Sequence, residues 1–168
     1  MKVMFISDIH GGYEDLGKVL KIFKEETFDK LFILGDIYCT DPQNNYNVSA
    51  LLASIKNGVA IRGNCDVMLT KIPDSYRTEI DGIRILLIHD ENKVTNDSDI
   101  DVVLCGHTHK PNIEYKNYTY YINPGSIHNS REGENSFGVL DHGKVYIKSI
   151  NNVLRAEVEI KGKRKQYD

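Results

Sequence analysis

Cysteine is scarce. Cys39, Cys65 and Cys105 are the only three in 168 residues, and no two of them form a C-x-x-C pair. That excludes a disulfide framework and a thiolate-built structural zinc site, and it suits a reducing compartment such as the cytoplasm. Long apolar runs are also missing. No stretch approaches the ~18 apolar residues of a membrane span. The short apolar opening is broken at once by "SDIHGG", which does not read as a signal peptide. Positive charge is not in excess: 21 Lys and Arg stand against 24 Asp and Glu, for a net charge of -3. A general nucleic-acid or acidic-membrane binder would need the opposite balance. A small anionic substrate held at a local positive site remains compatible. Internal repeats and low-complexity linkers are absent as well, so residues 1–168 read as one domain, long enough to bury a core.

Strand and helix patterns are present in two textures. "KVMFIS" reads as a buried strand, and "YEDLGKVLKIFKEE" places Leu16, Val19, Leu20 and Phe23 at helical spacing. "KLFILGD" is a second apolar run, "DPQNNYN" reads as a polar loop, "VSALLASIK" as a helix, and "GVAIRGN" as a third run. Beyond it strands dominate. "YRTEIDGIRILLIH" reads as a hairpin turning at Asp81-Gly82. "IDVVLCGH" is another buried strand. Turns are expected at Lys116-Asn117 and at His142-Gly143. The end, from "VLRAEVEI" on, holds one more strand and then a charged, solvated tail. Alternation followed by a strand-rich remainder predicts two stacked sheets with helices outside.

The polar residues at the strand ends share one chemistry. Asp8 and His10 follow "MFIS", Asp36 follows "LFILG", Asn64 follows "VAIRG", His89 follows "ILLI", and His107 and His109 follow "VVLCG". Ligands of open α/β sheets bind beyond the carboxyl ends of the strands. If the strands are neighbours, these seven side chains meet on one rim. Imidazoles and carboxylates with one amide oxygen form a borderline-hard metal set. Four histidines, two aspartates and an asparagine are too many for one ion with open positions. They suit two divalent ions sharing a carboxylate, an arrangement that makes a nucleophile and stabilises displaced oxygens in phosphoester hydrolysis.

In order, D-x-H at Asp8–His10, G-D at Gly35–Asp36, G-N at Gly63–Asn64, a histidine after a strand at His89, and G-H-x-H at Gly106–His109 resemble the calcineurin-like metallophosphoesterase superfamily. The length, "GNCD" and "NPGS" resemble its small, single-domain phosphodiesterase branch. The resemblance implies a four-layer αββα sandwich, two packed mixed β-sheets flanked by helices. It implies one metal on Asp8, His10, Asp36 and His109, and a second on Asp36, Asn64, His89 and His107, with Asp36 bridging. It further implies hydrolysis by a metal-bridging hydroxide attacking phosphorus. The ions expected are Mn²⁺ first, with Ni²⁺, Fe, Zn²⁺ and Mg²⁺ also compatible. The partner expected is a small phosphoester substrate, and relatives of this branch often form homo-oligomers.

Three positions depart from the wider pattern. Cys39 replaces the last aspartate of G-D-x-x-D. Cys65 replaces the histidine of G-N-H that can protonate a leaving group; it also reads as an oxidation-sensitive thiol. In "IHDEN", Glu91 replaces a second histidine. Taken singly, each histidine reads more readily as a structural hydrogen-bonding residue, and Asp8 as a turn or helix cap. Asp66 is expected to orient a histidine ligand or to cap, and Arg62 and Arg131 to form salt bridges, with contact to a phosphate as the alternative. The rival to an enzyme is a non-catalytic interaction scaffold of the same fold, like the related retromer subunit. There the departures fall in the metal motifs, whereas here every expected donor is present.

Overall fold

The apolar runs pair into two mixed sheets that stack face to face. The computed structural model describes residues 1–96 and 98–162. The first third alternates as expected: β1 (Lys2–Ile6), α1 (Tyr13–Glu25), β2 (Lys30–Ile33), α2 (Pro42–Leu52) and β3 (Gly58–Ala60). These three strands are parallel. Next come β4 (Ser75–Ile80), β5 (Ile83–Ile88), β6 (Val102–Leu104), β7 (Pro111–Lys116) and β8 (Thr119–Pro124). The last strands are β9 (Ser136–Asp141), β10 (Lys144–Ser149) and β11 (Leu154–Glu159). One sheet has the order β11-β10-β9-β1-β2-β3 and the other β4-β5-β6-β8-β7. In the second sheet β5, β6 and β8 are parallel.

Period-two alternation decides which side chains meet. Val3, Phe5, Phe32 and Leu34 face the second sheet and pack against Ile85, Leu87, Val102, Leu104 and Ile122. Their neighbours Met4, Ile6, Leu31 and Ile33 face the other way, onto Leu16, Val19, Leu20 and Phe23 of α1 and Val48 of α2. β1 and β2 are therefore apolar on both faces, which is why they read as continuous runs.

The expected two mixed sheets flanked by helices are found. Both α-helices cover the six-stranded sheet. The outer face of the five-stranded sheet, with Leu86, Val103 and Tyr121, is covered by the β5–β6 connection, which supplies Ile100 and Val94. Among its described residues that connection makes only a three-residue 3₁₀ turn, Glu91–Lys93. Two of its side chains bond to nearby backbone: Asp90 accepts from Asn92 N, and Asn96 from Ser98 N. Such local bonds compete with helix continuation.

Two local expectations are corrected. "DPQNNYN" is the first half of α2, where a loop was expected. Asp41 Oδ1 accepts from the amides of Gln43 and Asn44, and Pro42 sits in the first turn, the ordinary N-terminal devices of a helix. Apolar periodicity is silent here because Val48 is the only buried residue of α2. The β7–β8 turn falls on Asn117-Tyr118, one residue later than expected. The Asp81-Gly82 and His142-Gly143 turns lie where expected, each with both residues at positive φ. The charged tail beyond residue 162 lies outside the described residues. No helix among the described residues is long and apolar enough to cross a membrane.

Candidate metal centre

Five strands deliver the seven donors to one rim. β1, β2 and β3 of one sheet lead to Asp8, His10, Asp36 and Asn64, while β5 and β6 of the other lead to His89, His107 and His109. The loops stay laced after the strands stop. Asp8 N donates to Gly35 O at 3.1 Å, His10 N to Asp36 O at 2.9 Å, and Gly106 N to His89 O at 2.9 Å. Close backbone approach is needed: a Cβ on Gly35 would press on Gly63 N at 2.6 Å, and one on Gly63 would collide with Asp36.

The donors form two overlapping groups. On one side His10 Nε2 lies 3.1 Å from His109 Nε2, 3.8 Å from Asp8 Oδ1 and 3.6 Å from Asp36 Oδ2. On the other, Asn64 Oδ1 lies 3.1 Å from His89 Nε2 and 2.9 Å from His107 Nδ1, and His89 Nε2 lies 3.3 Å from Asp36 Oδ2. Asp36 thus touches both groups. Asp8, His10 and His109, and likewise Asp8, Asp36 and His89, each bring three donor atoms within 4.8 Å of one another, as one ion requires.

Asp8 carries the strongest local signal. The residue is 0% exposed, and Oδ1 is the only buried side-chain nitrogen or oxygen among the described residues without a hydrogen-bond partner. Three imidazole nitrogens surround it, from His109 at 3.3 Å, His10 at 3.8 Å and His89 at 3.9 Å. A buried orphan oxygen is costly unless a cation meets it. The donor set and this orphan therefore fit divalent ions.

Second nitrogens are anchored on backbone. His89 Nδ1 donates to Leu34 O at 2.6 Å and His109 Nδ1 to Asn129 O at 2.8 Å. Each bond leaves Nε2 as the lone-pair nitrogen facing the cluster. Charges are arranged accordingly. Burial alone would raise the Asp36 carboxyl, but the His89 imidazole beside it and the hydrogen bond from Cys65 N outweigh it and hold it at about 2. Burial lowers His10 despite Asp36 and Asp8 nearby. His89 is raised, its burial overcome by Asp36. His109 is raised by the Asp8 carboxylate beside its Nε2, which favours the protonated ring.

Residues 1–144 match the model of the calcineurin-like phosphoesterase superfamily domain. The chain belongs to that superfamily. Membership makes it a hydrolase of a metal-dependent family. The chain is 31% identical to the phosphodiesterase YfcE of Escherichia coli over 90% of its own length and 94% of that protein. The solved structure of that phosphoesterase superposes with a TM-score of 0.82 at 29% identity, covering 96% of this chain and all of the other. The phosphodiesterase MJ0936 of Methanocaldococcus jannaschii is 26% identical over 89% of this chain and 98% of its own. A vacuolar protein sorting 29 protein of Cryptosporidium parvum shares the fold, with a TM-score of 0.69 at 20% identity over 94% of this chain and 97% of its own.

Within this phosphoesterase fold some expected roles change. Asp66 orients no histidine. It is buried, and its oxygens accept from Ile37 N at 3.0 Å and Gly63 N at 2.9 Å, bracing the loops that carry Asp36 and Asn64. Arg62 forms the expected salt bridge, to Asp74. Arg131 has no carboxylate partner among the described residues and lines a cavity over the cluster. Glu91 turns away from the cluster and pairs with Lys116. Ser126 is the residue that reading by type missed. Its buried Oγ donates to Asp8 O at 2.7 Å and accepts from the amides of His128 and Asn129. Its only signal was its place in "NPGS".

Proposed function

We propose that this chain is a phosphodiesterase working with two divalent ions, Mn²⁺ first among them, in the cytoplasm. Asp8, His10, Asp36 and His109 hold one ion, and Asp36, Asn64, His89 and His107 the other. The observation that carries the reading is the buried, unpartnered Oδ1 of Asp8 inside a ring of imidazoles, next to an Asp36 that touches both donor groups.

When bound, the ions supply an activated water and the positive charge that phosphoester hydrolysis needs. The chain supplies position. Leu34 O and Asn129 O fix two imidazoles, and Asp36, held ionised, keeps its charge over the whole physiological range. Two cavities flank the cluster, of about 600 and 470 Å³, and both are lined by Asn64 and His107. A phosphorus seated between them has room for an ester arm on each side, which favours a diester over a monoester. Lys110 and Arg131 on the smaller cavity and Lys93 on the larger supply cationic walls. Cys65 stands where an imidazole would protonate the departing oxygen, so diesters with good leaving groups are the substrates turned over fastest. Three free cysteines suit the reducing cytoplasm.

The test is hydrolysis of bis-p-nitrophenyl phosphate by chelator-stripped protein, with and without Mn²⁺. Turnover only with the ion is expected. Absence of turnover with Mn²⁺, Ni²⁺, Fe²⁺, Zn²⁺ and Mg²⁺ alike would overturn the enzyme reading and leave the scaffold.

A further inference from the structure

Cys65 lies against the donor cluster. Its amide donates to Asp36 Oδ1 at 2.8 Å, which holds the residue beside the shared carboxylate. Its Sγ, a His10 ring nitrogen and an Asp36 oxygen lie within 4.8 Å of one another. That spacing brings the three donors to within a small closure of the bonds one ion would make, ~2.3 Å to sulfur and ~2.0–2.2 Å to nitrogen and oxygen. His10 also borders the orphaned Asp8 Oδ1, so an independent buried group already points to a cation at that place. The thiol is exposed on the cavity wall, where it meets the Asp36 carboxylate and a long 3.5 Å approach from Asn64 Nδ2. The remaining cysteines have other surroundings: Cys105 is buried under Ile122 O, and Cys39 packs by Asp41 and Gly11.

We propose that Cys65 is a ligand of the ion on the His10 side, so that the two metal positions differ in softness. This deepens the two-ion reading above and rests on it. One position has sulfur added to nitrogen and oxygen; the other, with Asp36, Asn64, His89 and His107, has nitrogen and oxygen only. Ligation replaces the S–H bond with a sulfur–metal bond and releases the proton to solvent. A thiolate favours Zn²⁺, Co²⁺ or Fe²⁺ over Mn²⁺ and Mg²⁺, while the other position carries no such bias. The centre is built for two different metals, a thiophilic ion by His10 and a harder one by His107.

Cobalt reads this without catalysis. Chelator-stripped full-length protein is titrated with Co²⁺, and absorption is recorded for the wild type and for Cys65→Ser and Cys65→Ala. The wild type should show visible ligand-field bands and a near-ultraviolet thiolate-to-cobalt charge-transfer band. Both variants should keep the visible bands and lose the near-ultraviolet one. In competition between Zn²⁺ and Mn²⁺, Cys65→Ser should weaken the preference for Zn²⁺ by at least about tenfold. Visible bands without the charge-transfer band in the wild type, or a charge-transfer band that survives in both variants, would overturn the role of Cys65 and leave the metal centre standing. Absence of both bands from folded wild-type protein, with folding checked by circular dichroism, would overturn the metal centre itself.

Discussion

Five of the seven donor residues hold left-handed backbone: Asp8 at φ 53°, His10 at 43°, Asp36 at 53°, His107 at 71° and His109 at 60°. Each costs on the order of 1 kcal/mol or more against ordinary backbone, though Asp and His tolerate it better than branched residues. The gain is direction, because the turn swings each side chain off its strand axis and onto the rim. Charge works the other way at Asp36 in the metal-free protein. Asp36 is 2% exposed and its carboxyl is depressed from 3.8 to about 2. A depressed carboxyl contributes stability above its ordinary value that is lost as pH falls through the folded one. Metal-free protein should therefore lose about 2 kcal/mol between about pH 4 and pH 2 through this group. Urea denaturation across that window should show the loss in the wild type and a flatter profile in Asp36→Asn. His89 and His109 are raised from 6.5, so their contribution is full below that value and fades as pH rises through the folded ones. Ligation needs both neutral. Mn²⁺ affinity should rise with pH from about 6 to 8, with more protons released per ion at the lower pH, measured by calorimetry in buffers of different ionisation enthalpy. Asp36→Ala should lose both ions by elemental analysis and more than ~10²-fold in activity. Full metal content in that variant would refute the bridging role.

At the scale of elements, the loops between β1 and α1, after β6 and after β8 act as one bracket. Ser126 joins them. Its Oγ meets Asp8 O, Ile127 N donates to Ser7 O, and Asn129 O receives His109 Nδ1. Ser126→Ala leaves a buried carbonyl and two amides short of a partner, at a cost of roughly 1–3 kcal/mol. Mn²⁺ affinity should also fall about 10- to 100-fold, the usual effect of removing a group that orients ligands. Thermal unfolding and metal titration of one variant check both. Elements differed in how plainly they showed in the chain. Asp81-Gly82 announces its hairpin because few residues other than Gly, Asn and Asp accept two consecutive positive φ angles. The start of α2 was hidden because its exposed amide-rich turn has no apolar stripe, and only the Asp41-Pro42 cap marked it.

The whole molecule is two sheets closed over one apolar interface, and the rim where they meet carries the donor cluster. Leu87 is fully buried at that interface, one residue from the β5 end and two before His89. Leu87→Ala should cost about 2–5 kcal/mol and weaken metal binding as well, since the rim is only as firm as the packing beneath it. Equilibrium unfolding with and without metal separates the two effects. The wild type itself should gain about 2.7 kcal/mol at a free ion concentration a hundredfold above Kd. Chelator should reverse the accompanying rise in Tm.

Donor types and their order were legible from the chain alone. Each follows an apolar run that can only be a buried strand, and local pattern reports burial well. So were the stacked sheets, from the change between alternating and strand-rich texture. Tertiary structure decided which donors touch. His10 and His109 are 99 positions apart and meet at 3.1 Å. Asp36 falls between two groups, and Asp8 Oδ1 is left without a partner. The bracing roles of Asp66 and Ser126 were settled there too. The reason is physical: burial and backbone angle are properties of a segment and its neighbours, whereas a convergent site depends on how two sheets register and close, which no single segment encodes.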